Sequence, residues 1–129
     1  MIQCIETDAS RKSVAHYSLG TVHNGVLYVS GQLPRDMESG QLVAGGIREQ
    51  ALKALENVEA VLKLAGCKKE DVIKCTIYTT DGGFWGDIND VYKGFFGQHK
   101  PARVLIPIGD IGNGCLVEID AIADIGGNE

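Results

Sequence analysis

Apolar positions along this chain recur with two periods, and each change of period marks an element boundary. Residues 2–6 alternate loosely, as an edge strand does, while residues 10–20 are small and polar without a period. The run Thr21-Val22-His23-Asn24-Gly25-Val26-Leu27-Tyr28-Val29 has Asn-Gly between two β-rich segments. Both turn residues tolerate positive φ, so the run predicts a hairpin with strands at about 18–22 and 25–30. Residues 34–46 read as loop, punctuated by Ser39-Gly40 and Gly45-Gly46. The period then becomes helical. Ile47, Ala51, Leu55, Val58, Leu62 and Ala65 form one stripe, predicting a helix over 47–65 that stops at Gly66. Residues 71–79 are β-branched and read as a strand, broken by Asp81-Gly82-Gly83. A second helix is expected over 84–97, with Trp85, Ile88, Val91, Tyr92, Phe95 and Phe96 on one face as core. Strands follow at 102–107 and 115–124, and the tail from Gly126 to Glu129 is expected to fray. The order βββ-α-β-α-ββ predicts an α+β fold, a mixed sheet with two helices packed on one face.

Length and composition narrow the picture. A chain of 129 residues fits a single domain, 1–129, with a core that needs no staples. A net charge of -5 and an isoelectric point near 5.1 argue against a nucleic-acid partner, and Lys68-Lys69 is only a pair. The first residues carry no secretory pattern and no apolar run is long enough to cross a bilayer, so a cytoplasmic protein without a membrane partner is expected. Cysteines at 4, 67, 75 and 115 have no Cys-x-x-Cys spacing, and histidines at 16, 23 and 99 complete no ligand pattern with them. Reduced thiols and no metal are the expectation. Gly109-x-x-Gly112-x-Gly114 has the wrong spacing for a dinucleotide loop, and Ser30 lacks a nucleophile elbow.

The unusual stretch is Lys100-Pro101-Ala102-Arg103-Val104-Leu105-Ile106, an apolar strand with an arginine set into it. A guanidinium there is costly unless an anion meets it. Strand alternation puts Arg103 and Leu105 on one side, and Leu116, Glu118 and Asp120 together on one side of the last strand. If the two strands are neighbours, Arg103 and Glu118 share a face. They then form a cross-strand ion pair, or Arg103 grips a substrate carboxylate while Glu118 handles a water or a proton. Spacing leaves both open.

Several landmarks occur together in order: Tyr17-Ser18, the run from Tyr28 to Pro34, Gln50 and Asn57, Ala65-Gly66, the run from Asp71 to Lys74, Asn89 before Tyr92, Pro101-Ala102-Arg103, and the run from Val117 to Ala123. With them the chain resembles, over nearly its whole length, the Rid family of reactive-intermediate deaminases, also called the YjgF/YER057c/UK114 family. The resemblance implies a chorismate-mutase-like fold, a homotrimer with ligand clefts between subunits, and no cofactor. It implies hydrolysis of 2-imino or enamine acids, such as 2-iminobutanoate and 2-iminopropanoate, to 2-keto acids and ammonia. By position, Arg103 matches the carboxylate-binding arginine and Glu118 the acidic residue that positions or activates water. Tyr17, Ser30, Gly31 and Asn89 match positions lining the cleft. Leu105 stands where many deaminase members have cysteine, His16 where proline is common, and Ile111-Gly112 where Leu-Pro is usual. These departures bear on substrate range. Two other functions remain: a non-catalytic module that binds a small carboxylate such as a 2-keto acid, and a structural trimer in which Arg103 and Glu118 pair.

Overall fold

The Asn24-Gly25 pair folds as its chemistry demands. Both residues have positive φ, 52° and 75°, and join strands β2 (Gly20–His23) and β3 (Val26–Gln32) in a two-residue hairpin. Strand β1 (Gln3–Ile5) pairs antiparallel with β2 and forms one edge, as expected. These coordinates are a computed structural model that describes residues 1–126; the expected fraying of residues 127–129 lies outside the described residues. Helix α1 (Asp8–Lys12) follows β1, then α2 (Ile47–Leu64), β4 (Val72–Thr79), α3 (Trp85–Phe96), β5 (Ala102–Pro107) and β6 (Val117–Asp124).

Six strands form one mixed sheet in the order β1-β2-β3-β6-β4-β5. Only β4 and β5 run parallel, joined by the crossover through α3. The α+β class, the mixed sheet and the two main helices agree with the sequence reading. The short α1 is additional. Its five residues bury nothing and are held by a capping box, in which Thr7 Oγ1 accepts from Ser10 N–H and Ser10 Oγ accepts from Thr7 N–H. Such a helix has no apolar stripe to detect.

Alternation sorts the central strands cleanly. Val117, Ile119, Ala121 and Ala123 of β6 and Cys75 and Ile77 of β4 are buried under the helices. They meet Leu55, Val58, Val61 and Leu62 of α2 and Ile88, Tyr92 and Phe96 of α3. At about 25 cal/mol per Å² of apolar surface, this shared core is the main source of stability. Among the described residues no helix lies over the other sheet face, which carries Tyr28, Tyr78, Val104, Ile106, Glu118 and Asp120.

Two buried carboxamides fasten loops to α2. Gln50 donates to the Gly114 carbonyl at 3.0 Å and accepts from Leu116 N–H at 2.7 Å. Asn57 donates to the carbonyls of Leu33 and Arg35, at 3.0 and 2.7 Å, and so fixes the exit of β3. Arg48 of α2 bridges Asp87 and Asp90 of α3 at 2.8 and 2.9 Å, on either side of Asn89. No described helix is long and apolar enough to cross a membrane.

Candidate active site

The site residues fall into two groups. In the first, β5 is an edge strand whose register places Arg103 beside Cys75 and Leu105 beside Ile77. Cys75 and Ile77 are buried, so Arg103 and Leu105 point to the helix-covered side, where α3 passes. Arg103 Nη1 donates to Asn89 Oδ1 at 2.9 Å. The Tyr92 and Trp85 rings lie 5.0 and 5.7 Å from the guanidinium carbon, within cation–π range. Among the described residues the buried Tyr92 hydroxyl meets no oxygen or nitrogen partner, and burial, with the neighbouring Cys75 thiol, raises its pKa. Burial likewise pushes the Cys75 thiol up to about 11. Neither group therefore supplies an anion. No acidic side chain among the described residues lies within ion-pair distance of Arg103. Among the described residues one of its five N–H donors is engaged; the rest of the fork is oriented and unneutralised.

The second group surrounds the end of β3. The pairing of β3 with β6 shifts register between Val29 and Gln32, forming an irregularity at Ser30-Gly31. Ser30 Oγ donates to the Ser18 carbonyl at 2.7 Å, and Ser30 N–H to the Leu19 carbonyl at 2.9 Å. These bonds hold the segment carrying Tyr17, which is itself exposed. The Glu118 carboxylate lies over Gly31 so closely that a Cβ there would stand 2.5 Å from Oε2. Desolvation raises the Glu118 pKa first, and the neighbouring Asp120 charge adds to it. A cavity of about 250 Å³ opens beside this group, lined in part by Tyr17, Gly31, Gln32 and Asn57. Neither Arg103 nor Glu118 lines it.

The condition for a shared face fails. Strand β4 separates β5 from β6, and Glu118 pairs with Tyr78 on the bare side of the sheet. Arg103 and Glu118 are thus two strand spacings, roughly 10 Å, apart across the sheet and on opposite faces. The cross-strand ion pair does not form within the chain. Asn89, Arg103 and Leu105 come together, as do Tyr17, Ser30, Gly31 and Glu118, but the two groups do not meet in one chain. Trp85 is the second correction. Assigned to the core, it is 49% exposed and stands beside Arg103. The buried stripe of α3 is Ile88, Tyr92 and Phe96; Trp85 shares its side of the helix by phase but is the first residue of α3, at the end of the helix. Helical phase therefore carries no signal that it lies outside the core.

A family model described as endoribonuclease L-PSP matches residues 7–125. The chain belongs to the YjgF/Rid family. A rat Rid relative, named 2-iminobutanoate/2-iminopropanoate deaminase, is 38% identical over 119 residues, covering 92% of this chain and 87% of that protein. The Drosophila melanogaster protein UK114 is 42% identical over 125 residues, covering 97% and 91%. Among solved structures, the Rid protein YyfA from Yersinia pestis superposes with a TM-score of 0.89 at 35% identity, covering 97% and 100% of the two chains. TdcF of E. coli, solved with bound serine, gives 0.85 at 33%, covering 95% and 98%. The mixed sheet with helices on one face is the Rid fold.

Proposed function

We propose that this protein hydrolyses reactive 2-imino acids, of the type of 2-iminobutanoate and 2-iminopropanoate, to 2-keto acids and ammonia. The observation that carries this reading is Arg103: held by Asn89, flanked by two rings, and without a carboxylate of its own. The name of the rat relative supports the same reaction. A planar substrate carboxylate takes the free edge of the guanidinium bidentately. Glu118 accepts a hydrogen bond from water, and its raised pKa brings its basicity nearer to neutral pH. The water oxygen bonds to the imine carbon while its proton passes to Glu118. That proton passes on to nitrogen, giving a carbinolamine; the carbinolamine hydroxyl then gives its proton, by way of Glu118, to the amino nitrogen as the carbon–nitrogen bond breaks, so ammonia leaves and the ketone forms. Tyr17, Ser30 and Gly31 orient the substrate around the water.

Because the two groups do not meet in one chain, the reading requires a second copy. A neighbour that sets its Tyr17–Ser30–Gly31–Glu118 group against the β5 edge completes the cleft. A homotrimer with three such clefts is the proposed assembly. The second reading is a non-catalytic sensor of small 2-keto acids, favoured by the Arg103 group being complete within one chain. A net charge of -5 gives no support to an RNA substrate.

The test couples a threonine dehydratase to this protein and follows 2-ketobutanoate formation. Acceleration is expected, with Arg103→Ala losing at least about a hundredfold in kcat/KM, on the scale of a lost charge-assisted bidentate contact. Keto-acid binding without acceleration would establish the sensor instead.

A further inference from the structure

The surroundings of Arg103 also bear on which side chain the substrate carries. An aromatic residue as large as tryptophan is seldom left half exposed without a use. Trp85 is 49% exposed at the first turn of α3, with its ring 5.7 Å from the Arg103 guanidinium. Leu105 follows Arg103 by two residues on the same side of β5, about 7 Å along the strand. It packs against the core from its partly buried position. Phe84, immediately before Trp85, also packs there. Among the described residues, the only polar side chain hydrogen-bonded to Arg103 is Asn89, and its oxygen is already used. A carboxylate on the free edge of Arg103 therefore has its neighbouring carbons beside an indole face and an isobutyl group.

We propose that Trp85 and Leu105 form an apolar wall that selects 2-imino acids with branched aliphatic or aromatic side chains over the three- and four-carbon skeletons of 2-iminopropanoate and 2-iminobutanoate. This rests on the carboxylate-binding reading of Arg103 and deepens it. The wall discriminates by burying side-chain carbon, and one or more methylenes against such a surface are worth roughly 10- to 200-fold in kcat/KM. A cysteine at position 105 would present a smaller, less apolar surface.

The experiment compares 2-iminopropanoate with 4-methyl-2-iminopentanoate, each generated in situ from its amino acid by an amino-acid oxidase with catalase present. The expected result is a kcat/KM ratio of at least about ten favouring the larger substrate. Trp85→Ala should reduce that ratio by about tenfold, Trp85→Phe should restore part of it, and Leu105→Cys should reduce it less. A ratio unchanged by Trp85→Ala, with equal losses on both substrates, would mean that Trp85 only steadies Arg103, and would overturn the proposal. Trp85 is also the only tryptophan, so its fluorescence reports binding in the unaltered protein. Titration with pyruvate and with 4-methyl-2-oxopentanoate should quench it, with the larger acid binding at least about tenfold tighter. Equal affinities would also overturn the proposal. If no imine is turned over but the binding order holds, the hydrolytic reading fails and the apolar wall stands. If both imines are turned over and the smaller is preferred, the reverse is true.

Discussion

Glu118 sits where its charge is costly. It faces the bare side of the sheet, close over Gly31 and beside Asp120, and its pKa is raised by desolvation and by that like charge. The native state therefore holds this proton to higher pH than the unfolded chain does. Between the ordinary carboxylate value and the raised one, stability falls as pH rises. Glu118→Gln should consequently raise Tm at pH 7.5, with the gain disappearing towards pH 4, while abolishing turnover. A thermal-melt series across that range checks the sign, and a gain that grows on acidification would contradict it. Stability given up for a poised carboxylate is the expected mark of a functional residue. At this scale the sequence was informative about Arg103, because a cation in an apolar strand announces an unmet anion. It was uninformative about the partner. Strand alternation fixes faces only once strand neighbours are known, and nothing in the order of the segments says that β4 separates β5 from β6. Trp85 is exposed although helical phase puts it with Tyr92 and Phe96, because it stands at the first residue of α3, and phase does not tell where along a helix the buried core ends.

Among the elements, the irregular end of β3 links fold to chemistry most directly. Gly31 has no positive φ, so its small size answers a different need: space for Glu118. The clashing atom is the far end of a flexible side chain. Gly31→Ala should therefore displace the carboxylate and leave the sheet intact. If Glu118 is the base proposed above, a Tm within about 1–2 °C of the parent, with kcat lowered tenfold or more, is the expected pair of readings for displacing it by around an ångström. Loss of folding with no effect on residual kcat would indicate a purely structural glycine. The hairpin and the two long helices were legible because each has a local signature: Asn24-Gly25 for the turn, and the stripe from Ile47 to Leu62 for α2. The register shift at Ser30-Gly31 has no such signature. It arises from where β6 pairs with β3, some ninety residues later in the chain.

On the scale of the whole molecule, one sheet face is left without a helix. Tyr28, Val104 and Ile106 lie on it with more than two-fifths of their surface exposed. The proposed homotrimer covers it. Light scattering should give about three times the 13.8 kDa chain mass. Ile106→Asp, set beside Tyr78 and close to two carboxylates, should lower that mass to the monomer's and remove activity together. A fully active wild-type monomer at micromolar concentration would refute the shared cleft. The position of β6 has a consequence of another kind. It is the last of the described strands, yet it lies between β3 and β4 and joins the β1-β2-β3 meander to the β4-β5 pair. A ribosome releases this chain from its N-terminus, so β3 and β4 emerge as open edges and stay unmatched until residues 117–124 leave the exit tunnel. The hairpin and α2 can gather early, but the sheet cannot close before β6 arrives. The nascent chain is thus exposed to aggregation until β6 emerges, and a premature stop before Val117 would leave two half-sheets with nothing to connect them.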